Sequence, residues 1–69
     1  MLSRTEWAAI HCTDGKEWIN IMSIRGLREL TSNYTASLLH SVPAWSRDNP
    51  VVRVSQISIT EVMKDGTQS

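Results

Sequence analysis

Cys12 is the only cysteine in the chain. It cannot form an internal disulfide, and small exported domains usually carry several. A reducing compartment, the cytoplasm, is therefore expected. An excess of one charge is equally lacking, because seven Lys and Arg face seven Asp and Glu. The long-range field that draws proteins to phosphate backbones or anionic lipid is missing, so nucleic acid is a disfavoured partner, though a local basic patch could still serve one. No run approaches the ~20 apolar residues of a membrane span, and Met1 to Trp7 lacks the apolar segment of an export signal. This predicts a chain neither exported nor embedded. At 69 residues there is material for one core. The expectation is a single domain over residues 1–63 and a polar, frayed tail over 64–69.

Catalytic groups are scarce too. His11 and Cys12 are neighbours, and on a strand neighbours point to opposite faces, so His11 cannot serve as the base for the Cys12 thiol. One cysteine with His11 and His40 gives neither C-x-x-C nor H-x-x-x-H spacing, which argues against structural zinc. Gly15, Gly26 and Gly66 are scattered and build no phosphate-cradling loop. The sequence predicts no catalytic residue, no cofactor and no metal site, hence a non-enzymatic protein.

What the chain does have is a hairpin signal. Asp14-Gly15 lies between two runs that each carry a tryptophan, and centring a two-residue type I′ turn there pairs Thr13 with Lys16, His11 with Trp18, Ala9 with Asn20 and Trp7 with Met22. Alternation then places Ala8, Ile10, Ile19 and Ile21 on one face, with Cys12 at its edge. Trp7, Ala9, His11, Trp18, Asn20 and Met22 share the other. The small, branched face suits packing beneath a helix. A competing signal is the capping box Ser3-Arg4-Thr5-Glu6, which could start a short helix through Trp7 to Ile10.

From Ile24 the period changes to that of an amphipathic helix, with Ile24, Leu27, Leu30, Tyr34, Leu38, Leu39 and Val42 on one half of the wheel. Ser23 is the expected N-cap and Pro43 the stop, with a kink or break possible near residue 32. PAWSRDNP reads as a loop that carries Trp45, either as a plug over the core or as a binding residue. VVRVSQISITEVM reads as a long strand in which Val52 and Val54 share one parity and Ile57 and Ile59 the other. Either a bulge near Ser55-Gln56 restores the phase, or the two halves bury opposite faces.

These elements make an α+β module of order β-β-α-β, a three-stranded sheet with one amphipathic helix on one face and the strand order open. One helix covers one side of a sheet, so the large aromatic side is expected to stand exposed. Trp7, His11, Trp18 and Met22 are then the expected partner-binding residues, since aromatic anchors dominate interface energetics. The alternative is that the helix, or Trp45 and its loop, covers that face. A second copy is one candidate partner, through a homodimer that pairs the 51–63 strand with itself.

The arrangement of EW…DGKEW, an amphipathic helix, VPAW and a final NPVVRV…ISITEV strand resembles the small accessory proteins of the early regions of lambdoid phages and prophages. The resemblance spans most of the chain but carries no diagnostic motif. It implies a cytoplasmic protein that binds and modulates a host factor, one acting in DNA replication, repair or restriction. A small nucleic-acid-binding accessory factor is the alternative function.

Overall fold

The structure, a computed structural model, describes residues 2–62; the expected tail at 64–69 lies outside the described residues. Five elements follow one another: β1 (Ser3–Thr13), β2 (Lys16–Arg25), α1 (Arg28–Ser41), α2 (Pro43–Asp48) and β3 (Val51–Thr60). They form the expected α+β module, a three-stranded antiparallel sheet on which one longer helix packs. Residues 6 to 12 are strand, not helix, so the capping-box alternative falls.

Asp14 and Gly15 both take positive φ, 52° and 78°, as a type I′ turn requires. The expected register follows from Thr13↔Lys16 through Ala9↔Asn20 and then breaks, because Trp7 lies opposite Arg25 instead of Met22. The extra length on β2 is a bulge over residues 21–24, and side chains hold it in place. Asn20 Oδ1 accepts from the Met22 N–H, while Ser23 Oγ donates to Asn20 O at 2.6 Å and accepts from the Ala9 N–H at 2.8 Å. Ser23 is thus a buried strand residue whose hydroxyl links the Ala9 N–H to Asn20 O where the bulge begins. The N-cap of the following helix is Leu27, not the expected Ser23, and it makes no side-chain cap bond.

Helix α1 starts at Arg28, four residues after the expected Ile24, because Ile24 and Arg25 complete β2. It runs unbroken past residue 32. The expected loop is the short helix α2 with Pro43 at its first turn, where the missing N–H costs nothing. Strand β3 lies beside β1 and antiparallel to it, giving the order β2-β1-β3. The register shift on β3 falls opposite Ile10 and His11, so the extra residue is Val52 and not one near Ser55-Gln56. Beyond it Val54 lies opposite Ala9, whereas Ile57 and Ile59 lie opposite Glu6 and Arg4. The two halves of the strand do serve opposite faces.

Fully buried apolar residues are few. Among the described residues Ala8, Ala9 and Ile10 are the hydrophobic core, and His11, Asn20, Ser23 and Thr31 are buried with them. The radius of gyration is 14.6 Å, against about 11 Å for a compact chain of this length. Part of the excess has a visible cause: β2 pairs with β1 only as far as Trp7, so Ser3–Glu6 and their partners Ile57–Thr60 extend as a two-stranded ribbon.

Candidate functional site

The helix covers the face opposite to the one expected. Trp18, Asn20 and Met22 of the sheet share a groove with Tyr34, Leu38 and Val42 at the helix and with Trp45 of α2. The Arg28 guanidinium stands 5.9 Å from the Trp7 ring centre. Of the four expected contact residues, His11 is buried at 1% exposure, Trp7 and Trp18 are half-buried, and Met22 stands out on the bulge at 68%. The expectation that they form one exposed aromatic face is therefore corrected.

His11 organises this side. Its ring stacks on Trp18 with centroids 4.6 Å apart, and Trp45 meets it edge-on at 5.5 Å. Trp45, expected as a plug over the core or as a binding residue, packs against the buried His11 but stays 39% exposed, so it covers the core only in part. Because the Met22 N–H fixes Asn20 Oδ1 as an acceptor, the Asn20 amide presents its Nδ2 to His11 Nε2 at 3.1 Å. His11 Nε2 must then accept, which leaves the proton on Nδ1, and Nδ1 donates to Asn49 O at 2.7 Å. Nearby, Trp18 Nε1 donates to Thr13 Oγ1, which donates to Asn49 Oδ1. The Thr31 hydroxyl reaches both Trp7 O and Ser23 O and ties α1 to the sheet. This polar seam through Asn20, Ser23, Thr31 and Asn49 was not foreseen from composition, since no local pattern shows that distant Ser, Thr and Asn residues will meet.

Among the described residues no helix lies over the other face of the sheet. Register places Ile10, Ile19, Ile57 and Ile59 there with Ala8 and Cys12, and Ile21 precedes the groove residue Met22 and so points the same way. Ile19 is 46% and Ile21 75% exposed. Arg53 and Glu17, from the two outer strands, meet above the central one in a bidentate pair of 3.0 and 2.8 Å. Arg53 lies opposite Ile10 in the register, and Ile10 is buried. Arg4 and Glu6 pair at 2.6 Å toward the ribbon. The result is an isoleucine surface with an ion pair near each end.

The hydrogen bond from Arg53, and next its charge, hold the Glu17 carboxyl below the usual glutamate range. A carboxyl whose folded-state pKa is depressed adds stability above its unfolded pKa and loses it as pH falls through the folded value. Glu17→Gln is expected to shift Tm slightly at neutral pH and not at all in acid below the folded value, a difference that high salt removes. Thermal melts across an acid pH series check this.

Among the described residues no group of three or more His, Cys, Asp and Glu is assembled to hold a metal, and no helix is long and apolar enough to cross a membrane. Both ring nitrogens of His11 are occupied by structural partners. Comparison with protein families, with curated proteins and with solved structures finds no match for this chain.

Proposed function

We propose that this chain is a non-enzymatic protein-interaction module whose contact surface is the isoleucine face of its sheet. The observation that carries this reading is the imbalance between core and surface. Among the described residues the buried apolar residues are two alanines and one isoleucine, while Ile19 and Ile21 of β2 stand open on the same face as the half-buried Ile57 and Ile59 of β3. Contiguous apolar surface of this kind marks contact sites. The charges at the ends of the face are already paired, so it offers no free basic rim to phosphate or anionic lipid, and a protein surface fits it best. On the resemblance to lambdoid accessory proteins, the partner is a host factor in DNA replication, repair or restriction, and the module acts by occupying its surface.

The test is retention of a host protein by the immobilised chain and by its Ile19→Glu/Ile21→Glu variant. Both positions are exposed on β2, so the variant should keep the wild-type circular dichroism spectrum. Each lost anchor should weaken binding by about 2 kcal/mol, enough to abolish retention together. A partner held equally by both chains contradicts the reading.

A further inference from the structure

The two edges of the sheet are treated differently. On β2 the regular ladder covers only Lys16–Asn20, carries Lys16 and Glu17, and ends in the bulge. There the Arg25 guanidinium donates to Met22 O and Ile24 O at 2.9 and 2.8 Å. Charge, shortness and a bulge are the usual devices that keep an edge from pairing. Strand β3 has none of them beyond Arg53: residues 54–60, Val-Ser-Gln-Ile-Ser-Ile-Thr, contain no charge and no proline.

The direction of its free groups follows from the ladder. The Glu61 N–H donates to Leu2 O, so with strict alternation Arg53, Ser55, Ile57 and Ile59 direct their N–H and C=O toward β1. Val54, Gln56, Ser58 and Thr60 direct theirs outward. The outer half of this strand is also the weakest part of the sheet, since the ribbon of Ser3–Glu6 with Ile57–Thr60 lacks β2 beside it, and a two-stranded ribbon alone is marginal.

We infer that the free edge of β3 pairs with β3 of a second copy of this chain, antiparallel about a two-fold axis at Ile57. In this register Val54 bonds with the partner's Thr60 and Gln56 with the partner's Ser58, using the outward groups. Ile57 faces the partner's Ile57 across the axis. Arg53 is held by Glu17 of its own chain and comes opposite the partner's Glu61, so no like charges meet at either end of the paired segment. This is the register in which the whole uncharged segment 54–60 pairs with itself; a shift by two residues leaves part of it unpaired. Pairing converts the ribbon into the middle of a six-stranded sheet, and the two isoleucine faces become one continuous surface. The edge is distinct from the β2 side of that face, and the Ile19→Glu/Ile21→Glu variant is expected to remain dimeric.

Sedimentation equilibrium of the full chain should give twice the 7.8 kDa chain mass. Ser58→Pro removes an outward N–H and no bond to β1, so it should bring the mass down to one chain with the strand signal kept. In a Cys12→Ser background, Ile57→Cys should cross-link to the double mass on oxidation, because directly opposed residues lie within disulfide reach. Ser55→Cys should not, its symmetry mate being about 13 Å away along the strands. If Ser58→Pro fails to fold, the cross-linking pair still decides. A wild-type chain at single mass, or Ser55→Cys cross-linking as readily as Ile57→Cys, overturns the inference.

Discussion

His11→Ala should destabilise the fold by about 4 kcal/mol, most of what a domain of this length possesses. Among the described residues the imidazole is the largest fully buried side chain. Its loss opens a cavity between Trp18 and Trp45 and deprives Asn20 Nδ2 and Asn49 O of their partners. His11→Phe separates the two contributions. A phenyl ring keeps the stack on Trp18 but makes neither hydrogen bond, so about half the loss should remain. Urea denaturation followed by circular dichroism measures both. A histidine serving only as an exposed contact would tolerate either change within about 0.5 kcal/mol.

Ser23→Ala should cost about 2 kcal/mol, because it removes the buried hydroxyl that accepts from the Ala9 N–H and donates to Asn20 O. The ranking of replacements is more telling than the size. An N-cap serine would be replaced well by aspartate, whereas here the site is fully buried and a carboxylate would bring in an unpaired charge. The expected order of stability is Ser, then Ala, then Asp. Denaturation midpoints of the three chains decide between a strand bulge and a helix cap.

Much of the module is legible in the sequence because its signals are local. Asp14-Gly15 sets the turn and the register as far as Ala9↔Asn20, and the parity change between Val54 and Ile57 marks a strand that serves two faces. The bulge was not legible. It rests on Ser23 reaching Ala9 across the hairpin, a contact that alternation alone replaces with the wrong pair, Trp7 with Met22.

The side taken by the helix was misjudged for a different reason. Residue size suggested the small branched face, but the side is set by chain handedness. In an L-chain the face a strand residue occupies is linked to the side toward which its N–H points. The Ala9 N–H points toward β2, whereas that of Cys12 points to Pro50, the residue before β3. With β3 on that far edge, a right-handed crossover from β2 puts α1 over Ala9 and His11. Strand order decides the side, and the half-buried state of Trp7 and Trp18 follows from it. Size considerations then reappear on the uncovered side, where branched residues collect with no helix to bury them.

Amide hydrogen exchange along residues 53–60 tests the account's central claim, that this chain completes its sheet with a second copy. Arg53, Ser55, Ile57 and Ile59 donate inward to β1 and should be protected whenever the fold is intact. Val54, Gln56, Ser58 and Thr60 should be protected as well, and lose that protection on dilution. If those outward amides exchange as freely as in an unfolded peptide at every concentration, while their inward neighbours stay protected, the edge is bare in solution and the claim is wrong.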